Sequence, residues 1–349
     1  MVYKININEE KSLKHKFLDS EYYQFAPNAN IKAGLSKTYR YMRQYPRIAV
    51  SISGGADSDC MMDIVEHLRY LMPEDWHDEA EIHYVWFDTG LEMEATKRHL
   101  AYLEERYGVS IQRLRSPKQV AQAVREYGYP FMSKKFADYI YRLQKHGFQW
   151  EDEPFDVLND RYPNCKSALR WWCNNWKAEP HKPMQSEIVS SPYLKEFMIL
   201  NPPTFAISNR CCDFAKKKIA DETNKQLNAD IQFIGIRKAE GGARASAYDN
   251  CFIDGHHGTQ HFPLFWWTNK DKSEYEQWQN IIHSDAYTVY GCTRTGCSGC
   301  PFSANCFNEI KMLETYEPNM AKAVKNIFAP ALEYRKAYVE FRDYMKKQK

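Results

Sequence analysis

The chain has 349 residues, of which 44% are hydrophobic and 26% are charged, and its formal net charge is +2 at pH 7. These values are typical of a globular protein, and so small a net charge argues against strong sequence-independent binding of nucleic acid. The sequence has neither a membrane span nor a signal-peptide pattern, so we expect a soluble cytoplasmic protein without a membrane partner.

The first two thirds of the chain predict strands that alternate with helices. Residues 1–45 are polar and rich in lysine and tyrosine, and we expect them to form a helical extension. Apolar residues at helical spacing predict a helix over 57–72, and another helix is expected over 92–107. Such alternation predicts an α/β fold with a doubly wound, mostly parallel sheet. The strands are predicted over 47–53, 80–90, 109–116 and 229–237.

The composition changes from about Pro263 onwards. Residues 308–349 predict one or two charged helices that are interrupted at Pro318 and Pro330. The histidine-bearing stretch 255–262 is interpreted as a solvated loop rather than a metal site. We therefore predict three parts: the extension, an α/β nucleotide-binding domain over 46–262, and a C-terminal cysteine-rich and helical module over 263–349.

The first predicted strand runs into a loop, 53–58, with the sequence Ser-Gly-Gly-Ala-Asp-Ser. The backbone N–H groups of Gly54 and Gly55 can approach phosphate oxygens closely, and the positive end of the following helix dipole points to the same place. The hydroxyl groups that would add donors are those of Ser51, Ser53 and Ser58.

A carboxylate in this loop needs a reason, because Asp57 would repel phosphate unless it holds a magnesium ion. The Gly-Lys-Ser/Thr of a Walker A loop is missing, which argues against ordinary kinase or GTPase chemistry. A tight strand-to-helix turn explains the glycines but not the carboxylate together with three serines. The loop therefore predicts a phosphate-binding site.

Other polar residues follow the predicted strands. Asp88 ends the second strand and Arg237 the last, so both are expected at the carboxyl edge of the sheet, where ligands bind. Guanidinium forks bind phosphate or sulfate in a bidentate manner, which makes Arg237 and Arg244 candidates for an anionic substrate. Surface ion pairs with Glu240 are the alternative role of these arginines.

The loop resembles the Ser-Gly-Gly-x-Asp-Ser signature of the PP-loop, or adenine nucleotide alpha hydrolase, superfamily. From about Arg47 to Phe302 the chain resembles the phosphoadenosine phosphosulfate reductase family and is similar to reductase-like sulfurtransferases such as that of DNA phosphorothioation. Departures from the family pattern are Ala56, where lysine is common, and Gly241, where serine is common. The matching blocks lie in the family's order at 87–96, 128–140, 209–218, 235–244, 263–275 and 294–302.

This resemblance implies that the loop binds the phosphate end of ATP or the phosphosulfate end of a sulfonucleotide. Members that use ATP generally cleave it between the α- and β-phosphates. The segment 166–180 also resembles an Arg-Trp-Cys-x3-Lys element of sulfurtransferase-like relatives, which makes Cys173 and Lys177 weaker candidates.

Four cysteines form a compact C-x4-C-x2-C-x5-C run, and four soft thiolates suit an iron–sulfur cluster or zinc. The compact spacing favours [4Fe–4S], as does the family resemblance, which offers a second set: a tandem Cys-Cys with a later Cys-x2-Cys. If the compact run holds the metal, Cys211 or Cys212 is free to carry sulfur as a persulfide beside Lys216 and Lys217. The compact run is Cys292, Cys297, Cys300 and Cys306, and the rival set is Cys211, Cys212, Cys297 and Cys300.

Three functions stay open at this point. The leading hypothesis is ATP-dependent sulfur transfer with magnesium, in which an acceptor is adenylated, pyrophosphate leaves and sulfur replaces AMP. The second is a sulfonucleotide reductase that forms a Cys–S-sulfonate and releases sulfite, although no cysteine follows Cys306. The third is a non-catalytic nucleotide or redox sensor. A cysteine desulfurase is a candidate sulfur donor, and a nucleic acid is one candidate acceptor.

Overall fold

The computed structural model describes residues 16–176, 187–241, 248–255 and 258–348. Within them the chain forms two compact units, each assembled from several segments. Thr89–Leu91, Ser116–Lys217 and Cys297–Lys349 form the cysteine unit, and the remaining segments form the sheet unit. The domain boundaries expected from sequence at 45/46 and 262/263 stay a prediction. Among the described residues, no helix has both the length and the apolar character needed to cross a membrane.

The sheet unit contains one six-stranded sheet of order β3-β2-β1-β4-β6-β5. Neighbouring strands are parallel except for β5, which runs antiparallel to β6. The predicted α/β fold with a mostly parallel sheet is therefore confirmed, and its four predicted strands are all present. The strands are β1 (Arg47–Ile52), β2 (Glu81–Asp88), β3 (Ile111–Arg115), β4 (Ile231–Ile234), β5 (Phe252–Gly255) and β6 (Gly258–His261).

The β5–β6 hairpin corrects the interpretation of 255–262 as a solvated loop. His261 is buried, with Nε2 lying 3.0 Å from the Thr38 hydroxyl and Nδ1 lying 2.9 Å from the Cys251 carbonyl oxygen. Four-residue strands that contain glycine and polar side chains carry too little alternation to be recognised from a single sequence. His256 and His257 lie outside the described residues.

Helices surround the sheet because its central strand is apolar on both faces. Ile48 and Val50 on one face of β1 and Ala49 on the other are all fully buried, a pattern that requires cover on each side. The helix Ala56–Tyr70, here the loop helix, is itself buried nearly all round. The other helices of the sheet unit are Glu21–Gln24, Ala29–Gln44, Glu74–Glu79, Glu94–Tyr107, Lys218–Gln226, Asn269–Trp278 and Asp285–Thr288.

The cysteine unit is helical and has an aromatic core. Trp171 and Trp172 are fully buried in it. A π-helical turn, Asp213–Lys217, interrupts the helical run that begins at Arg210. The helices of this unit are Val120–Tyr127, Lys134–Lys145, Phe155–Arg161, Lys166–Trp172, Leu194–Leu200, Arg210–Cys212, Cys306–Tyr316 and Pro318–Lys347.

The predicted break at Pro330 is wrong, whereas the break at Pro318 is confirmed. Pro318 begins a helix, a position where the missing N–H costs nothing. The helix then continues through Pro330 to Lys347. Phe328 and Ala331 on either side of the proline are fully buried, and this packing outweighs the loss of a single backbone hydrogen bond.

A network of buried charges ties the loop helix to its neighbours. Asp59 is only 1% exposed, and its Oδ2 lies 3.0 Å from His99 Nε2 and 2.9 Å from His283 Nδ1. The other ring nitrogen of His283 lies 2.8 Å from Glu276 Oε1. Burial disfavours the imidazolium, but hydrogen bonds to Asp59 and Glu276 outweigh it and raise the pKa of His283 to about 9.

We therefore expect His283 to stabilise the fold in a pH-dependent way. A histidine pKa raised above its unfolded value contributes stability that is complete below about pH 6.5 and is lost as the pH rises through about 9. His283→Gln should remove about 2–3 kcal/mol near neutral pH and flatten the fall in unfolding free energy between pH 7 and 10. Urea unfolding across that range measures both effects. The exposed His77→Gln is the matched control, and an equal slope in both variants would contradict the assignment.

Candidate functional site

The predicted phosphate-binding loop, residues 53–58 and here called the phosphate loop, turns sharply between β1 and the loop helix. Gly54 has φ +64°, in the left-handed region that favours glycine. A Cβ atom on Gly54 would lie 2.6 Å from Cγ2 of Thr96, so the turn has no room for a side chain. Both observations explain why this position of the motif is glycine.

Hydroxyl groups organise the loop from within. The Ser58 hydroxyl is buried, accepts the N–H groups of Ser53 and Gly55 at 3.2 and 3.1 Å, and donates to the Gly55 carbonyl oxygen at 2.7 Å. The N–H of Ala56 donates to the phenol oxygen of Tyr287 at 3.3 Å. Hydroxyl oxygens thus accept the N–H of Gly55, one of the two glycine amides that the sequence analysis assigns to phosphate, and those of its neighbours Ser53 and Ala56.

Asp57 forms an ion pair with Arg237. Arg237 Nε lies 2.9 Å from Asp57 Oδ1, and its Nη1 donates to Asn269 Oδ1 at 3.0 Å. The arginine is 8% exposed, and Glu240 Oε1 accepts its backbone N–H at 3.1 Å. Burial raises the pKa of Asp57 to about 6, against the lowering effect of the Arg237 charge.

The carboxyl end of β4 approaches the loop helix through a glycine. A Cβ atom on Gly235 would lie 3.0 Å from the carbonyl oxygen of Asp57 and 3.1 Å from the backbone nitrogen of Ser58. Since both atoms belong to the backbone, neither can rotate away. Gly235 therefore lets Arg237, two residues later, reach the loop.

The remaining predicted nucleotide-binding residues occupy different surroundings. The Ser51 hydroxyl accepts from Gln232 Nε2 at 2.9 Å. Asp88 Oδ2 lies 3.5 Å from Nε of Arg115 on the neighbouring strand. Lys177 and Arg244 lie outside the described residues. The ligand-binding roles of all these residues stay predictions.

Four thiols of the cysteine unit influence one another. The hydrogen bond that the Cys211 thiol donates to Cys212 is the largest of the effects that raise the pKa of Cys211, and burial and the charges of Cys300 and Cys297 add to it. The same hydrogen bond lowers the pKa of Cys212, helped by the positive charges of Lys134 and Lys216. Burial and the charge of Cys297 raise the pKa of Cys300. The four thiols of the rival set are therefore near enough to act on one another electrostatically.

The Cys-x2-Cys segment is held by specific contacts within the same unit. Cys297 Sγ lies 3.4 Å from the Thr89 hydroxyl, and the N–H of Ser298 donates to the Leu91 carbonyl oxygen at 2.9 Å. Gly299 has φ +58°, and a Cβ there would lie 2.6 Å from Cγ1 of Val324. The segment therefore packs against the long C-terminal helix.

The compact run is divided between the two units. Cys292 belongs to the sheet unit, where its N–H donates to the Ala286 carbonyl oxygen at 2.8 Å. Cys306 belongs to the cysteine unit and is fully buried at the start of a helix. Burial raises the pKa of Cys306, while the charge of Arg335 opposes this. As the side chains stand, the described residues contain no group of three or more His, Cys, Asp or Glu arranged to hold a metal ion.

Several residues of the site gave no recognisable signal in the sequence. Tyr287 caps the loop helix, Lys272 lies 4.0 Å from Asp57 Oδ1, and Lys134 acts on Cys212. Arg335 donates to the carbonyl oxygens of Pro301 and Ala304, between two cysteines of the compact run. Single side chains that reach a site from distant segments form no motif with a fixed spacing, so the sequence alone does not identify them.

The sequence matches the family model described as the phosphoadenosine phosphosulfate reductase domain over residues 47–149 and 140–303. No curated protein sequence matches the chain. Among solved structures, phosphoadenylyl-sulfate reductase from Candida auris is similar at 9% identity and TM-score 0.40, covering 85% of this chain and 98% of that one. The U34-tRNA thiolase NcsA from Methanococcus maripaludis is similar at 12% identity and TM-score 0.39, covering 88% and 78%. FMN adenylyltransferase from Candida glabrata is similar at 12% identity and TM-score 0.40, covering 83% and 71%.

We predict that Gly235→Ala displaces the end of β4 from the loop helix. The added methyl group would press on backbone atoms of Asp57 and Ser58, so the variant should lose about 1–3 kcal/mol of stability and weaken nucleotide binding. Urea unfolding and nucleotide titration measure the two effects. Gly255→Ala is the matched control, because its nearest neighbour would lie at an ordinary 3.7 Å. Wild-type behaviour of Gly235→Ala in both assays would contradict the packing argument.

Proposed function

The chain belongs to the phosphoadenosine phosphosulfate reductase family, and from that premise we propose that it is an enzyme of adenine-nucleotide-dependent sulfur transfer. The observation that carries the proposal is the group of interacting thiols, Cys211, Cys212, Cys297 and Cys300, in a chain that also has the Ser-Gly-Gly loop. A loop without lysine argues for a diphosphate or phosphosulfate ligand rather than a transferred γ-phosphate. All ten cysteines are free thiols, as expected for the reducing cytoplasm we infer as its location.

The four thiols fit an iron–sulfur cluster in donor chemistry. Thiolate sulfur is the common ligand of [4Fe–4S], and the lysine charges beside Cys212 favour the deprotonated form that binds metal. The cluster would supply a soft centre that holds sulfur or tunes its reactivity. Zinc is the alternative occupant of four thiolates and would make the group structural. This assignment leaves Cys292 and Cys306 outside the ligand set.

In the proposed reaction the loop binds ATP through its backbone amides, with Asp57 as the candidate ligand of magnesium, which would neutralise phosphate charge. An oxygen of the acceptor bonds to the α-phosphorus, the bond to the bridging oxygen breaks, and pyrophosphate leaves. Arg237, held by Asp57 and Asn269, would orient the anionic end of the nucleotide. Adenylation turns a poor leaving oxygen into a good one.

The second step replaces AMP by sulfur. Sulfide bonds to the activated carbon or phosphorus atom, and that atom's bond to the AMP oxygen breaks to release AMP. With a persulfide donor the same displacement gives a mixed disulfide, and a reducing thiol then breaks its S–S bond, forming a new disulfide with the donor cysteine and freeing the thiolated product. A cysteine desulfurase would be a suitable source of that sulfur, and the acceptor is an oxygen-bearing base, backbone or metabolite. If the compact run held the metal instead, Cys211 or Cys212 would carry the persulfide.

A sulfonucleotide reductase is the second candidate, and the tandem cysteine layout favours it. In that reaction a thiolate bonds to the sulfur of adenylyl sulfate or its 3′-phosphorylated form, and the nucleotide leaves. A reducing thiol then releases sulfite from the Cys–S-sulfonate. Lysine charges beside the thiols would suit the anionic phosphosulfate. The same features would also serve a protein that only binds and senses the nucleotide.

The direct test compares turnover of the anaerobically purified protein on the two classes of nucleotide. Sulfur transfer predicts pyrophosphate and AMP from ATP in the presence of sulfide and an acceptor, with no sulfite from sulfonucleotides. Sulfite release from adenylyl sulfate or its 3′-phosphorylated form, with a thiol reductant, would establish the second candidate. Tight nucleotide binding with neither product would identify a sensor.

Replacement of single cysteines distinguishes the two ligand sets. We expect Cys212→Ala and Cys297→Ala to lose most bound iron and acid-labile sulfide, because each removes one of four ligands. Cys292→Ala should keep wild-type iron, since its thiol belongs to the compact run alone. Metal and sulfide analysis with the visible spectrum measures the outcome. Loss of iron in Cys292→Ala with retention in Cys212→Ala would assign the cluster to the compact run.

A further inference from the structure

The phosphate loop has a charge problem. Its segment 53–58 contains one carboxylate, Asp57, and no cation, although its proposed ligand carries several negative charges. Other phosphate loops place a lysine in the loop itself, whereas the first helical residue here is Ala56. Magnesium would offset part of the ligand's charge, and a cation that reaches the loop from elsewhere in the fold would offset more.

Arg237 answers only part of this need. Its Nε is engaged by Asp57 and its Nη1 by Asn269, and the residue is nearly buried. In this ion pair the positive charge of Arg237 is neutralised by the carboxylate of Asp57. A second cation beside Asp57 would supply a further positively charged donor for the ligand.

Lys272 brings that second cation to the loop. Its Nζ lies 4.0 Å from Asp57 Oδ1 and 2.5 Å from Glu276 Oε1, and its side chain is 17% exposed. Burial lowers the pKa of this ammonium, but the hydrogen bond and charge of Glu276 outweigh it and raise the pKa. The contact with Glu276 uses one of the three N–H donors of the ammonium group, whereas Asp57 at 4.0 Å is an ion-pair partner beyond hydrogen-bond distance.

The helix that carries Lys272 is anchored at its start. The Thr268 hydroxyl accepts the N–H of Asp271 at 3.1 Å, and the Asp271 carboxylate accepts the N–H of Thr268 at 2.7 Å. Asn28 and Asn30 donate to the same carboxylate at 2.9 and 2.8 Å. The residue that follows this anchor therefore starts from a fixed backbone position, which reduces the entropy lost when its ammonium binds a ligand.

We propose that Lys272 is the lysine of the phosphate loop, supplied from a distant helix, and that it binds a phosphate or sulfate oxygen of the nucleotide. The inference rests on the proposed function for the nucleotide itself and adds a residue that the loop motif does not contain. The competing role is a purely structural counter-ion for Asp57 and Glu276.

The test measures binding of magnesium ATP, 3′-phosphoadenylyl sulfate and inorganic pyrophosphate by calorimetry with the full chain. Lys272→Met should weaken the nucleotide that wild type binds by about ten- to a hundredfold, the range for a lost charged hydrogen bond. Lys272→Arg should keep most of the affinity, because the charge remains. Lys270→Met is the matched control: it lies on the same helix, its side chain is 82% exposed, and we expect unchanged binding.

A rescue variant separates the binding role from the structural one. In the double variant Ala56→Lys with Lys272→Met, the lysine returns at the first position of the loop helix, and we expect affinity to recover by at least tenfold. Thermal unfolding accompanies each titration, and Lys272→Gln replaces the methionine variant should that variant fail to fold.

The outcomes are distinguishable. Lower melting temperature with unchanged affinity in the Lys272 variants would overturn the inference and leave a structural counter-ion, while the proposed function would stand. Weakened binding without rescue by Ala56→Lys would also contradict it, since the cation would then not act at the loop. Failure of wild type to bind any of the three probes would overturn the proposed function and this inference together.

Discussion

The ion pair between Asp57 and Arg237 is the contact on which the proposed nucleotide site depends. It joins the first turn of the loop helix, which follows β1, to the segment that follows β4. These two strands are far apart in sequence but are neighbours in the sheet. Gly235 permits the approach, because any side chain there would press on the backbone of Asp57. The Asp57 carboxylate alone would repel an anionic ligand. Because it forms ion pairs with cationic side chains, it holds positive charge near the loop, which an anionic ligand would require.

The loop proposed to bind the nucleotide and the cysteines proposed for sulfur chemistry belong to different compact units of the chain. Each unit takes segments from several parts of the chain, so the loop belongs to one unit and the tandem cysteines with the Cys-x2-Cys pair belong to the other. Within the cysteine unit, Thr89 and Leu91 contact the Cys-x2-Cys segment directly after β2 ends.

The structural features that could be predicted from the sequence are those with a local sequence pattern. Apolar runs and helical spacing located β1, β2 and the loop helix, and the glycines with Asp57 marked the turn. The β5–β6 hairpin was missed because two four-residue strands show no periodicity, and Pro330 was misjudged because buried neighbours hold its helix together. Lys272, Tyr287 and His283 were missed for a different reason: their roles come from tertiary contacts that a single sequence does not encode locally.

The central claim is that the Ser-Gly-Gly loop holds the phosphate end of an adenine nucleotide, and equilibrium competition tests it most directly. Magnesium ATP or 3′-phosphoadenylyl sulfate would be titrated into the wild-type protein and into Asp57→Asn, with inorganic pyrophosphate and adenosine as competitors. The account predicts that pyrophosphate displaces the nucleotide far better than adenosine does, and that Asp57→Asn weakens binding. Displacement by adenosine but not by pyrophosphate would contradict it, because the loop would then not be the element that holds the ligand.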